Sequence, residues 1–289
     1  VRQKRRHRVG LLTDSIADLP EAFKLEHQIH TLPLGILLDD TIFLDKLTIQ
    51  PDSLFEKIPL AQTYPTSSQP EPGRVRAFLN KLLEEYDSLL FLSVSANLSG
   101  TWRTIRQEIQ NMDTQGKQVT VIDTKVNSGA EGLLVMQAAA LLDQGLSHEE
   151  VAAQIQARIP KTKIYVCLNT IEYAAKSGRV SNTVGTLGTK LGLRPIMTID
   201  GEGKGATFGI GFSQKSITKK ILRLVRQTMK QGGVSHYSIV HTQNPELAEL
   251  YREKLTAIIG KEPDFICGIS SVIAIHSGPG CVAVSLTEV

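Results

Sequence analysis

The run Leu89-Leu90-Phe91-Leu92-Ser93-Val94 is followed at once by Asn97-Leu98-Ser99-Gly100-Thr101 and then by a helix-like stretch from Trp102. An apolar strand that empties through a small polar loop into a helix is the unit from which parallel α/β sheets are built. The same alternation recurs. Val9–Thr13 reads as a strand ending at Asp14-Ser15, and Val119–Ile122 as one ending at Asp123-Thr124. Val75, Phe78, Leu79, Leu82 and Leu83 recur at helical spacing, and Glu131–Leu142 reads as a helix. In such sheets ligands collect beyond the carboxyl ends of the strands, so Asp14-Ser15, Ser95 to Thr101 and Asp123-Thr124 are expected to share one rim.

Helix starts are marked by capping boxes. Ser147-His148-Glu149-Glu150 opens a helix through about Arg158, and Asp18-Leu19-Pro20-Glu21 reads as another N-cap with an acid three residues on. His30–Leu38 is expected to be one strand, with Asp39-Asp40 as its turn and Thr41–Leu44 as the return. The second half changes character. Lys163–Leu168, Ile196–Ile199, Ala206–Phe212, His236–Val240 and Val282–Leu286 read as strands; Ser216–Lys230 and Pro245–Ile259 read as helices. At 289 residues, two domains are expected: a basic tail or linker over 1–8, an α/β domain over 9–160 and a second over 161–289, divided at Pro160-Lys161.

Three polar loops carry chemistry. Thr66-Ser67-Ser68-Gln69-Pro70, the Ser99 loop and His276-Ser277-Gly278-Pro279-Gly280 all combine hydroxyls with backbone freedom, the makings of an anion cradle. The last follows Val272-Ile273-Ala274-Ile275, read as a strand end. Gly201-Glu202-Gly203-Lys204-Gly205 reads as a hairpin turn, because a strand-like run follows it where a dinucleotide fingerprint needs a helix. There is no phosphate-binding G-x-x-x-x-G-K-[ST] and no G-x-S-x-G nucleophile elbow. A serine hydrolase using Ser99 with His276 stays open as an alternative.

Charge and cysteine usage narrow the function classes. Net charge is +3, and without Arg2, Lys4, Arg5, Arg6 and Arg8 the body is slightly acidic, which gives no electrostatic case for nucleic acid. Cys167, Cys267 and Cys281 are far apart, so neither a disulfide framework nor a zinc site is expected, and a reducing, cytoplasmic setting fits. The His27/His30 and His236/His241 pairs lack a third ligand, and no metal site is expected.

Taken in order, these segments resemble the DegV family over nearly the whole chain, from Val9 to Leu286. Thr13-Asp14-Ser15 with Asp18-Leu19-Pro20 resembles its opening motif, and Ser67-Ser68-Gln69-Pro70 its Thr-Ser-Gln-Pro motif. Leu98-Ser99-Gly100-Thr101 matches Leu-Ser-Gly-Thr, and Asp123 with Ser128-Gly129-Ala130-Glu131-Gly132 resembles the next element. Lys176-Ser177-Gly178-Arg179-Val180-Ser181 is similar to its Gly-Gly-Arg-Ile-Ser segment, with Ser177 in a glycine position. Leu193-Arg194-Pro195-Ile196 and His276-Ser277-Gly278-Pro279-Gly280 complete the set.

The resemblance implies two α/β domains with a long-chain fatty acid held between them. It implies a carrier without catalytic activity or cofactor of its own, presenting the carboxylate to a dihydroxyacetone-kinase-like fatty acid kinase subunit for acyl-phosphate formation in phospholipid metabolism. Ser67 and Ser99 would bind the carboxylate; Ser68, Gly100, Thr101, Arg179, His276 and Ser277 would lie near it. It leaves room for transient membrane contact. Val1 in place of Met, with the basic start, raises the expectation of a kinase part fused upstream, in which case the chain would be the DegV-like, regulatory part of a larger protein.

Overall fold

The computed structural model describes residues 8–179 and 181–289; the basic start over 1–7 and Val180 of the Arg179 motif lie outside the described residues. In chain order the first half contains β1 (Val9–Asp14), α1 (Glu21–Glu26), β2 (His30–Leu32), β3 (Gly35–Leu38), β4 (Thr41–Leu44) and α2 (Pro51–Lys57). It continues with β5 (Thr66–Ser68), α3 (Pro72–Glu85), β6 (Ser88–Ser93), α4 (Thr101–Asn111), β7 (Gln118–Asp123), α5 (Ser128–Asp143) and α6 (His148–Arg158). The second half runs β8 (Thr162–Cys167), α7 (Glu172–Lys176), α8 (Asn182–Lys190), β9 (Arg194–Ile199), β10 (Gly205–Gly211) and α9 (Gln214–Lys230). It ends with β11 (Val234–His241), α10 (Pro245–Ile259), β12 (Phe265–Gly268), α11 (Ser271–Ser277) and β13 (Val282–Glu288).

The strands form three sheets: β2-β1-β6-β7, parallel throughout; β10-β9-β8-β13-β11-β12, antiparallel except for the β11–β12 pair; and an antiparallel β4-β3-β5. They stack in layers because each strand sends alternate side chains to opposite faces. Leu12, Leu89 and Phe91 leave one face of the parallel sheet to meet Leu79, Leu83 and Ile105 of α3 and α4. Leu11, Leu90, Leu92 and Ile122 leave the other and join α5. Ile164, Val240 and Ala283 of the six-stranded sheet reach the same core from the far side. That sheet's outer face packs Tyr165, Ile196, Tyr237 and Val284 on α9 and α10.

Helix α5 is therefore a shared middle layer, and its sequence says why. A helix apolar on all sides has no face to give to water, and Ala130, Leu133, Leu134, Val135, Ala138, Ala139 and Leu141 are all buried. The fold is α/β, with a parallel sheet flanked by helices and a second, sheet-rich domain, as expected.

Local readings differ at four places. His30–Leu38 is two strands in two sheets, because Pro33 has no N–H to continue a ladder. Thr66–Ser68 is an edge strand on β3. The run Val272–Ile275 is helical, since Ser270 caps α11 by accepting from Ile273 N (3.4 Å). Asp18 is no cap: α1 starts after Pro20, because Leu19, which precedes a proline, is steered away from helical geometry.

Candidate functional site

The carboxyl ends of β1, β6 and β7 share one rim, and two carboxylates shape it, Asp14 buried and Asp123 half-buried. At the end of β1, Asp14 accepts hydrogen bonds from Ile16 N (3.1 Å), Val94 N (2.9 Å) and Ser93 Oγ (3.2 Å). Burial pushes its carboxyl up to about 6, and those donors restrain the rise. At the end of β7, Asp123 accepts from Ala96 N (3.1 Å) and Lys125 N (3.0 Å). Together the two acids fix the backbone that leaves β6.

That backbone turns at Ser95, whose carbonyl accepts from Leu98 N (3.0 Å) and Ser99 N (3.1 Å). The Ser99 and Thr101 hydroxyls are 2.8 Å apart, and Thr101 N donates to Ser99 Oγ (3.2 Å). Gly100 is the N-cap of α4 and offers no side chain. The helix thus presents its positive end, with Ser99 and Thr101 beside it, as a place for a negative group. The indole Nε1 of Trp102, one residue on, is buried with no partner. At Gly100 the nearest neighbour is the end of the flexible, exposed Gln69 side chain: a Cβ there would lie 1.7 Å from Gln69 Oε1, which would have to swing aside. That contact joins the Ser99 loop to the segment leaving β5, which carries Ser67 and Ser68 in register with Ile36 and Gly35.

The third segment arrives on α11. Ile36, Val94 and Ile275 belong to one apolar cluster. This cluster therefore ties β3, beside Ser67, to the exit of β6 and to the residue before His276. Tyr64 Oη also donates to Ile275 O (2.5 Å). His276 Nε2 faces Arg179 Nη2 at 3.5 Å. A guanidinium only donates, so Nε2 is the acceptor and the proton belongs on Nδ1. Burial, aided by the Arg179 charge, lowers His276 to about 3, which keeps the ring neutral. Nδ1 is buried and has no partner.

Ser277 departs from this group: it is buried, with its hydroxyl beside Cys281. The Ser99–His276 pair is not assembled as a hydrolytic dyad, since Ser99 Oγ bonds Thr101 and His276 bonds Arg179. Ser177 fits without strain. Its φ is −87°, its hydroxyl donates to Tyr173 O (2.8 Å), and Gly178 takes the left-handed φ of 73°.

Sequence reading missed how α11 is held. Asp18, fully buried, accepts from Ser270 N (2.8 Å), Ser128 Oγ (2.6 Å) and Lys46 Nζ (3.0 Å). Asp45 accepts from Ser271 N (2.9 Å). Two carboxylates of the first half thus hold the first amides of the helix that carries His276. Burial raises Asp18, while Lys46, Ser128 and Ser270 pull it back. Burial works against the Lys46 charge, but Asp18 and Asp45 outweigh it and raise Lys46. The available signal was the proline two residues after Asp18, which forbids the capping role.

Fold and rim define a layered α/β protein with a hydroxyl- and amide-rich cradle where the parallel sheet meets α11. The sequence profile of the DegV family, described as one of uncharacterised proteins, matches residues 8–289, and the chain belongs to that family. It is 27% identical to a DegV domain-containing protein of Clostridium perfringens over 97% of this chain and 99% of that one. Among solved structures it is similar to a DegV family protein from Thermus thermophilus described by its fatty acid binding, at 28% identity and a TM-score of 0.86, covering 98% of this chain and 100% of the other. A fatty acid binding DegV family protein from Streptococcus agalactiae is similar at 26% identity and a TM-score of 0.84, covering 98% and 99%. Among the described residues no group of three or more His, Cys, Asp or Glu is placed to hold a metal ion, and no helix is long and apolar enough to cross a membrane.

Proposed function

We propose that this chain binds a long-chain fatty acid between its two domains, residues 9–160 and 161–289, and presents the carboxylate to a partner kinase. The observation that carries the reading is the set of unspent donors around one rim. These are the one hydroxyl hydrogen that the Ser99–Thr101 pair leaves over and the buried, unpartnered Nδ1 of His276, beside the positive end of α4. A buried donor without a partner costs about 1–3 kcal/mol, and a carboxylate oxygen relieves it. Ser67 completes the cradle from β5, and Arg179 adds positive charge beside His276. The relatives described as fatty acid binding support the choice of ligand.

Magnitudes divide the labour. Burying a C16 tail contributes on the order of 12 kcal/mol before association costs, at about 0.8 kcal/mol per CH₂. A hydroxyl hydrogen bond to a charged group contributes at most about 3 kcal/mol. The tail sets affinity; Ser67 and Ser99 set which end faces the mouth. The kinase, of dihydroxyacetone-kinase type and acting in trans or fused upstream, then transfers phosphate from ATP to the exposed carboxylate, and the chain itself performs no chemistry.

The test combines the chain with such a kinase, ATP and palmitate, and traps acyl phosphate with hydroxylamine. Acyl phosphate should form only with both proteins present, and Ser99→Ala should impair transfer more than palmitate binding. Equal loss of both would sink the division of labour. Hydrolysis of an activated acyl ester by the chain alone, abolished by Ser99→Ala, would favour a hydrolase instead.

A further inference from the structure

The hairpin that joins β9 to β10 reaches from the second domain onto the loop that carries Ser99. Ser95 Oγ, fully buried, donates to Gly203 O (2.7 Å), and Asn97 Nδ2 donates to Glu202 O (2.6 Å). Ser95 is also the residue whose carbonyl accepts from Leu98 N and Ser99 N, and its hydroxyl accepts from Asn97 N (3.3 Å). The turn is built for this approach. Gly203 has a φ of 81°, which disfavours any side chain, and a Cβ there would lie 2.3 Å from Ser95 Oγ and 3.3 Å from Lys125 Cα. Within the hairpin, Asp200 Oδ1 accepts from Glu202 N (2.9 Å) and Lys204 N (2.9 Å) and so holds the tip in shape.

We propose that this hairpin is the positioning clamp of the site: Gly203 and Glu202 of the second domain seat Ser95 and Asn97, and through them orient the Ser99 hydroxyl and the first amides of α4. The Gly-rich segment then has a role beyond closing a turn. The Ser99 part of the cradle lies on the first domain, but its shape depends on a contact made by the second. When the hairpin lifts, Ser95 and Asn97 lose their partners, and the Ser99 turn loses the support on which it rests. The consequence for ligand rests on the fatty-acid reading; the clamp itself does not.

Three variants probe it from both sides. Asn97→Asp keeps shape but removes the donor to Glu202 O; Ser95→Ala removes the donor to Gly203 O; Gly203→Val wedges the two apart. In ligand-free protein, amide hydrogen exchange at Leu98 and Ser99 should rise about threefold to tenfold in each, the effect of losing one hydrogen bond. Exchange at Val284 in β13 should stay at the wild-type rate. Unchanged exchange at Leu98 and Ser99 in Asn97→Asp and Ser95→Ala, or a rise spread equally to Val284, overturns the clamp.

With palmitate labelled by carbon-13 at the carboxyl, the bound resonance in Asn97→Asp should move in the direction seen for Ser99→Ala. The double variant should show little further change, because residues acting through one another are non-additive. Fully additive shifts overturn the claim that the hairpin acts through Ser99. If wild-type protein gives no bound resonance, the fatty-acid reading falls, and the exchange data still decide the clamp.

Discussion

Replacing Asp18 by Ala should cost more than any single change at the rim, because Asp18 is where three parts of the chain meet. The substitution strands the Ser128 hydroxyl and Ser270 N, the amide of the residue that caps α11, and takes from the Lys46 ammonium one of its two carboxylates, leaving it Ala17 O and the Asp45 charge. Summing three bonds to a charged group at roughly 1.5–3 kcal/mol each overshoots, since such losses are not additive. Removing one partner of a buried ion pair costs about 3–5 kcal/mol, and that range is the expected loss. At about 2–4 °C per kcal/mol for a protein of this size, the midpoint of thermal unfolding should fall by about 6–20 °C. Urea unfolding followed by circular dichroism and by the fluorescence of Trp102, the single tryptophan, measures it. The partner variant sharpens the logic. Lys46→Met leaves Asp18 and Asp45 buried without their cation and should also destabilise, by about 3–5 kcal/mol. A loss below about 1 kcal/mol in Asp18→Ala, or a Lys46→Met variant as stable as wild type, would refute the view that a buried ion pair holds α11.

Other outcomes follow from burial and charge. Glu131 is fully buried with one oxygen unpartnered, and burial beside Asp14 raises its carboxyl well above the ordinary range. A raised folded-state value contributes stability below the unfolded value that is lost as pH climbs through the folded one. Glu131→Gln should therefore match wild type below about pH 4.5, the ordinary glutamate value, and gain on it progressively as pH rises above that, as read by urea midpoints across pH. His276, lowered to about 3, has the opposite dependence: its contribution is full above about 6.5 and is lost as pH falls toward 3. His276→Gln should flatten the acid limb of the stability profile between those values. Leu134→Ala, in the middle of α5 between the two sheets, should cost about 2–5 kcal/mol by urea unfolding.

The parts of the fold that depend on local chemistry could be read without coordinates. The Ser147 box caps α6 with both reciprocal bonds in place, the Gly201–Gly205 segment turns a hairpin, and β6 runs through the Ser99 loop into α4. The shared rim of Asp14, Ser95 and Asp123 followed from alternation alone. What stayed hidden was set by partners distant in sequence. Ser67 and Ser68 are strand residues only because β3 lies beside them. Val272–Ile275 carries β-branched residues that favour a strand, yet Ser270 and the Asp18 and Asp45 carboxylates impose a helix. Asp18 itself meets Ser270 across 252 positions, a distance at which no window of sequence signals contact.

The most direct test of the account is mass spectrometry of the organic extract of the purified protein. Binding between the domains predicts a long-chain fatty acid at about one per chain, or its uptake on incubation followed by a change in Trp102 fluorescence. An extract without fatty acid, from a protein that takes up none when palmitate is supplied, would contradict the central claim.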